Sequence, residues 1–148
     1  MKRTNTRLRL CVTLLVLNLL FIWGNSLLPG EISGAVSLWL KNLLKFGGED
    51  SQSGHGLLRK LAHFTEFTCL GVWCAWLWGM LGRKPWLALL SGFGAACVDE
   101  FIQMFVPHRG PGIQDVLIDS SGVCFGVAVL YLIHSLVKKK QTLFLEET

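Results

Sequence analysis

A histidine and five acidic residues lie at the edges of strongly apolar segments. Side chains of these types can transfer protons and bind metal ions. The acidic residues are Glu66, Asp99, Glu100, Asp115 and Asp119, and the histidine is His63. Carboxylates beside an imidazole can act as general acid and base, and both groups can hold a divalent cation. Lys60 and Arg109, which are near them in sequence, are suited to bind a phosphate. The combination predicts a site that handles a phosphate ester.

The spacing of these residues predicts that three helices bring them together. Lys60, His63 and Glu66 are three residues apart and therefore follow one side of a helix. The other polar residues close the next apolar segment (Asp99, Glu100 and Gln103) or open the last one (Asp115 and Asp119, followed by Gly122 and Gly126). Successive helices of a bundle run in opposite directions. The start of the second apolar segment, the end of the third and the start of the fourth therefore lie on the same side, and the spacing predicts one polar cluster.

The composition indicates that this cluster is in a membrane. Of the 148 residues, 51% are hydrophobic and 16% are charged, and the mean hydropathy is +0.47. Four windows are long and apolar enough to span a bilayer: residues 8–28, 61–81, 86–106 and 113–137. We therefore expect an all-α, four-helix membrane bundle. A cleaved signal peptide is the alternative for the first window, although its apolar run exceeds the usual core of about 7–15 residues.

Basic residues predict the orientation of the bundle. They precede the first window (Lys2, Arg3, Arg7, Arg9), connect the second and third (Arg83, Lys84) and follow the fourth (Lys138, Lys139, Lys140). Since cytoplasmic loops are enriched in lysine and arginine, both termini are expected in the cytoplasm and the acidic cluster in the outer leaflet. The net charge of +4 is explained by this topology and gives no reason to expect a nucleic-acid partner.

Residues 32–46, in the first outer loop, have helical periodicity and predict an amphipathic interfacial helix. Residues 47–56 are predicted to be a linker.

Five carboxylates inside a bilayer need an explanation. Each costs up to about 3 kcal/mol at mid-membrane, so together they could cost about 10 kcal/mol if nothing paired them. An internal ion-pair network that fixes helix register is one explanation, with Lys60, His63, His108 and Arg109 as the cations. The other is a hydrated pocket for a lipid head group. The number of acids exceeds what packing requires, which favours the pocket.

Three blocks of the sequence resemble the VanZ-like family of bacterial membrane proteins. "RKLAHFTEF" contains the pattern K-x-x-H-F-x-E, and "DEFIQMFVPHRGPGIQDVLIDSSGVCFG" contains D-E-x-x-Q-x-F-x-P-x-R followed by D-x-x-x-[ND]-x-x-G-x-x-x-G. "NSLLPGEISGAVS", residues 25 to 37, also resembles the family's serine-bearing stretch. Gly112 replaces a common serine, and Asp119 replaces a common asparagine. The resemblance implies one multi-pass domain over residues 1–148 in the bacterial plasma membrane, and a link to resistance against teicoplanin.

The leading hypothesis is an enzyme that transfers or hydrolyses a phosphoester of a phospholipid or lipid-linked cell-wall intermediate. Its predicted catalytic residues are His63, Glu66, Asp99, Glu100 and Asp115, and its predicted substrate-binding residues are Lys60, Gln103, Arg109 and Asp119. A divalent cation is a candidate cofactor, and Asp99, Glu100 and Asp115 are its candidate ligands. The alternative is a non-catalytic protein that sequesters a lipid precursor or the acyl tail of an antibiotic. Ion transport is less favoured because the charges are confined to one leaflet. The sequence does not specify an oligomeric state.

Overall fold

The computed structural model describes residues 2–44, 53–110 and 112–146, and this part of the chain is helical with no strand. Its helices are α1 (Lys2–Ser26), α2 (Gly30–Leu44), α3 (Ser53–Met80), α4 (Trp86–Gln103) and α5 (Ile113–Glu146). The all-α prediction is therefore confirmed. Two helical segments, Asn5–Ser26 and Ile113–Thr142, are long and apolar enough to cross a membrane. The other two predicted spans lie on α3 and α4, the helices that carry His63 and Asp99.

The helix boundaries differ from the predictions in places where local signals were weak. α2 begins two residues before the predicted start, and the predicted end at residues 45 and 46 lies outside the described residues. α3 begins at Ser53, so residues 53–56 are helical and were wrongly predicted as linker. Glycines disfavour a helix only by about 1 kcal/mol each, which the long apolar continuation of α3 offsets. α5 continues past residue 137 because lysines are good helix formers.

α3 is the central helix, since α1, α2, α4 and α5 all pack against it and α5 does so most extensively. The buried core includes Ile22 from α1, Phe67 and Leu70 from α3, Ala96 from α4 and Val123 from α5. Many large apolar side chains on α1 and α5 point outward instead, among them Leu20, Phe21, Leu132 and Leu136. Such an apolar exterior is what a bilayer-embedded helix presents to lipid.

α3 and α5 approach closely because glycines line their contact. A Cβ on Gly122 would lie 2.5 Å from the backbone oxygen of Phe64, and one on Gly126 would overlap the backbone oxygen of Thr68. On the other side, a Cβ on Gly71 would overlap the backbone oxygen of Val123. Gly122 and Gly126 form a GxxxG pattern, which allows this close backbone contact. This contact aligns the first turns of α5 with the part of α3 that carries His63.

We expect Gly126→Ala to destabilise the bundle by about 1–3 kcal/mol, because the methyl group cannot fit without moving one helix backbone. Thermal unfolding of the detergent-purified protein, followed by circular dichroism, measures this. Gly94→Ala in α4 is the matched control, since a Cβ there meets nothing within 4 Å. An unchanged midpoint for Gly126→Ala would show that α3 and α5 are not packed through this glycine.

The turn between α4 and α5 is fastened to the start of α2. The backbone N–H of Gly30 donates to the carbonyl of Pro107 at 3.3 Å. His108 then has a left-handed backbone with φ of 59°, and its carbonyl oxygen lies where a Cβ on Gly30 would be. A side chain at position 30 would therefore push this turn away. The contact holds Arg109, the next residue, beside the end of α1.

Candidate functional site

The centre of the polar cluster is formed by one side chain from each of three helices: His63 of α3, Asp99 of α4 and Asp119 of α5. The Nδ1 atom of His63 lies 3.6 Å from Oδ1 of Asp119 and 3.8 Å from Oδ2 of Asp99. Both distances exceed the 2.7–3.2 Å that is usual for an N–H···O hydrogen bond. Asp99 and Asp119 are 0% and 1% exposed. We call these three residues the buried triad.

Gln103 orients Asp99 from the next turn of α4. Its Nε2 atom donates to Oδ2 of Asp99 at 2.7 Å and to the hydroxyl of Ser26 at 3.3 Å. Ser26 is fully buried at the end of α1. The structure thus places Gln103, a predicted substrate-binding residue, against Asp99 and Ser26. Ser26 was given no role from sequence, although it lies in the stretch "NSLLPGEISGAVS" that carried part of the family resemblance.

Glu66 is held by Asn25, which is also at the end of α1. The amide Nδ2 of Asn25 donates to Oε1 of Glu66 at 2.9 Å, and the backbone oxygen of Asn25 accepts from Nη2 of Arg109 at 3.0 Å. Asn25 is therefore hydrogen-bonded both to Glu66, a predicted catalytic residue, and to Arg109, a predicted phosphate-binding residue. It too was missed as a site residue, because an amide at the end of an apolar helix gives no charge signal.

Arg109 is a buried cation with unused hydrogen-bond donors. It is 9% exposed, and neither Nε nor Nη1 has a hydrogen-bond partner within the described residues. Burial lowers the pKa of Arg109 below its usual value, and the nearby positive charge of Arg59 acts in the same direction. Arginine still remains protonated at neutral pH. These free N–H groups are suited to an anion with several oxygens, such as phosphate.

Glu100 and Asp115 lie outside the buried triad. Oε1 of Glu100 accepts the backbone N–H of Gly112 at 2.5 Å, so this carboxylate anchors the chain just before α5. Oδ2 of Asp115 lies 3.7 Å from Nη2 of Arg59, and both side chains are partly exposed. The three carboxylates predicted as metal ligands are therefore not at one site. Asp99 belongs to the buried triad, while Glu100 and Asp115 have other neighbours.

The ion-pair network that sequence analysis offered as an alternative is present in part: of its four proposed cations, His63 lies within 4.0 Å of Asp99 and Asp119. Within residues 2–44, 53–110 and 112–146, no carboxylate lies within 4.0 Å of a side-chain nitrogen of Lys60 or Arg109. His108, another proposed cation, faces Glu31 at the surface, where both side chains are more than two-thirds exposed. Several buried polar atoms lack a hydrogen-bond partner, including Oε2 of Glu66, Oδ1 of Asp99 and both carboxylate oxygens of Asp119. Such atoms are costly unless a ligand, ion or water meets them.

A small cleft leads to the buried triad. Its lining consists of Arg59, Lys60, His63, Gln103, Asp115, Ile118 and Asp119. The enclosed space is about 10 Å³, enough for one water or ion at the bottom. Two of the lining side chains, Arg59 and Lys60, are cations on the first turns of α3. The arrangement places acid–base and metal-binding groups at the bottom of a cleft and phosphate-binding groups around it.

Comparison with known proteins identifies the family. The family described as VanZ/LLP1 matches residues 7–134, which include every residue of the buried triad and all of its polar neighbours named above. No curated protein and no solved structure matches the chain. Because the match covers most of the 148 residues, the chain belongs to the VanZ/LLP1 family.

Proposed function

We propose that the protein is a multi-pass enzyme of the bacterial plasma membrane that acts on the phosphate head group of a lipid or lipid-linked cell-wall intermediate. Family membership makes it a VanZ-like protein of the cell envelope. In this proposal α1, α3, α4 and α5 are four spans of one domain, both termini are cytoplasmic, and α2 lies in the outer interface. The reaction is phosphoester transfer or hydrolysis in the outer leaflet.

The distribution of charge and apolar surface supports this arrangement. Basic residues are concentrated at the start of α1, between α3 and α4 and near the end of α5, which are the three places that would share the cytoplasmic side. The acids of the cluster belong to the opposite end of the same helices. Trp39 on α2 is 64% exposed, as an interfacial aromatic anchor would be before lipid covers it.

The observation that carries the proposal is the buried Arg109, whose Nε and Nη1 lack hydrogen-bond partners within the described residues. Two of its donor atoms have no partner in the described structure, and the cation is not neutralised by a nearby carboxylate salt bridge. A phosphate would accept these N–H groups and balance the charge. Arg109 does not line the cleft, but Arg59, which does so together with Lys60, lies within electrostatic range of it, and both cations would extend the binding region. The lipid tails would remain in the bilayer beside the exposed apolar surfaces.

The buried acids and His63 supply the chemistry. An oxygen of water or an acceptor alcohol attacks phosphorus, and Glu66 acts as the base that removes its proton. The bond from phosphorus to the leaving oxygen breaks, and that oxygen receives the proton that Glu66 has taken up. Arg109 stabilises the charge on the transferred group. Glu66 is suited to the role of base because Asn25 fixes one of its oxygens and leaves Oε2 free.

Mass spectrometry of membrane lipids and wall precursors tests this function. We expect at least one phosphate-containing species to change in cells that express wild-type protein, and the change to be about tenfold smaller with Arg109→Gln, because the neutral amide binds phosphate weakly. Arg83→Gln is the matched control, since Arg83 is exposed in the α3–α4 turn. All three proteins should reach equal abundance in the membrane.

Identical lipid and precursor profiles with and without the wild-type protein would contradict catalysis. The exposed apolar face of α2, with Ile32, Trp39 and Leu43, favours a second candidate in that case: a non-catalytic protein that sequesters a lipid precursor or the acyl tail of teicoplanin. Under that function Trp39→Ser should reduce teicoplanin resistance as strongly as Arg109→Gln. If the protein is instead an enzyme, Trp39→Ser should reduce teicoplanin resistance less than Arg109→Gln does.

A further inference from the structure

We propose that His63, Asp99 and Asp119 bind one divalent cation of the first transition row, with Mn²⁺ as a suitable occupant. This inference deepens the proposed function, since it names a cofactor for the same site. It can nevertheless be tested separately, because ion binding requires no lipid turnover. The argument depends on geometry, on unsatisfied buried atoms and on the identity of the donor groups.

The geometry is that of ligands around a shared ion. One potential ligand atom from each residue of the buried triad lies within 4.8 Å of the other two. The separations of 3.6 and 3.8 Å from Nδ1 of His63 are too long for hydrogen bonds. Ligands bound about 2.1 Å from a common metal ion lie roughly 3.0–3.4 Å apart. Small side-chain rotations would therefore bring all three atoms into coordination.

Asp119 provides an independent observation. This carboxylate is 1% exposed, it lines the cleft, and neither of its oxygens has a hydrogen-bond partner within the described residues. Nδ1 of His63 and Oδ1 of Asp99 also lack a partner. His63 lies within 4.0 Å of both carboxylates, but a buried carboxylate oxygen without a hydrogen bond is disfavoured, and a doubly charged ion in contact with both carboxylates offsets that cost.

Neighbouring residues complete the pattern of a metal site. Gln103 donates to one oxygen of Asp99 and leaves the other free, which is how outer side chains usually orient a metal-binding carboxylate. Glu66 lies within electrostatic range of all three members of the buried triad. A divalent ion would balance the charges of the two carboxylates in the buried triad, Asp99 and Asp119.

The donor set favours a transition metal over Ca²⁺ or Mg²⁺. Calcium sites use six to eight oxygens, and magnesium is held mainly by oxygens and water. One imidazole nitrogen with two carboxylates is better suited to Mn²⁺, Fe²⁺ or Zn²⁺. Three protein ligands leave coordination positions for water and for a phosphate oxygen. The enclosed space of about 10 Å³ is adequate for an ion but too small for a head group.

Titration of the purified full-length protein with MnCl₂ tests the site. The protein is prepared in detergent, stripped with a chelator and titrated while electron paramagnetic resonance measures free Mn²⁺. We expect one ion per chain for wild type and a Kd at least thirtyfold higher for Asp119→Asn. Glu31→Gln, which also converts a carboxylate to an amide but at an exposed position outside the cleft, should remain within twofold of wild type. Pulsed measurements should detect imidazole nitrogen coupled to bound Mn²⁺, and His63→Gln should remove that signal.

Several results would overturn the inference. These are no wild-type binding below millimolar Mn²⁺, equal affinity in wild type and Asp119→Asn, or bound Mn²⁺ without nitrogen coupling. If Asp119→Asn fails to fold, the coupling in wild type and its loss in His63→Gln decide the question. Specific Mn²⁺ binding together with unchanged lipid profiles would support the ion site and reject the proposed reaction. Changed lipid profiles without Mn²⁺ binding would reject the ion site and support the proposed reaction.

Discussion

Asp119→Asn is expected to lower turnover of the lipid substrate by about 1,000-fold, which corresponds to about 4 kcal/mol of lost transition-state stabilisation. The amide keeps the size of the carboxylate but has no negative charge for a cation or for His63. A metal ion supplies several kcal/mol by stabilising charge on a phosphoryl oxygen. Loss of one of three protein ligands should remove most of that contribution.

The same substitution should make the ion-free protein more stable. Both oxygens of Asp119 are buried without hydrogen-bond partners, and a carboxylate inside a bilayer costs up to about 3 kcal/mol. Asparagine is neutral, and its oxygen can still face Nδ1 of His63. We therefore expect the free energy of unfolding to rise by about 1–2 kcal/mol in chelator-treated protein. Gain of stability with loss of activity is typical of residues that are kept for function.

Thermal unfolding in detergent and turnover of the lipid species identified by mass spectrometry measure the two effects on one preparation. Glu31→Gln is the control, because that carboxylate is 79% exposed and does not line the cleft. It should leave both quantities nearly unchanged. A fall in stability with Asp119→Asn would contradict this argument and would favour the ion-pair network, in which the carboxylate is needed for packing.

The sequence was sufficient to predict the helices and the convergence of their polar ends. The four apolar windows coincide with four of the five helices, two of which are long and apolar enough to cross a membrane, and helical periodicity located α2. The cluster was predictable because successive helices joined by short turns run in alternating directions, whatever the details of packing. His63, Asp99 and Asp119 were all among the candidate residues for this reason.

The assignment of roles could not be predicted in the same way. Asp99 and Glu100 are adjacent, so they point about 100° apart on α4, and only tertiary packing determines which one faces His63. In the structure, Asp99 belongs to the buried triad, and the carboxylate of Glu100 accepts the backbone N–H of Gly112. Asn25 and Ser26 were missed because α1 is apolar on most sides, and its sequence does not show which face meets α3 and α4.

Glu100→Ala is expected to destabilise the protein by about 2–3 kcal/mol and to weaken turnover by about 100-fold. Its carboxylate accepts the N–H of Gly112, and hydrogen bonds to a charged group contribute about 1.5–3 kcal/mol. Without this anchor, the connection that carries Arg109 is held mainly by Gly30 and Asn25. A displacement of about 1 Å in a phosphate-binding group can reduce the rate by about 100-fold.

Comparison of Glu100→Ala with Glu100→Gln separates positioning from chemistry. Glutamine retains an oxygen that can accept the Gly112 N–H, so Glu100→Gln should recover most of the stability and most of the turnover if Glu100 acts as a positioning residue. In both variants the affinity for Mn²⁺ should remain near that of wild type, because the buried triad is separate, while the KM for lipid rises in Glu100→Ala. Sequence analysis gave Glu100 a catalytic role instead. Complete inactivity of a stable Glu100→Gln protein would favour that role, since the only property lost would be the charge of the carboxylate.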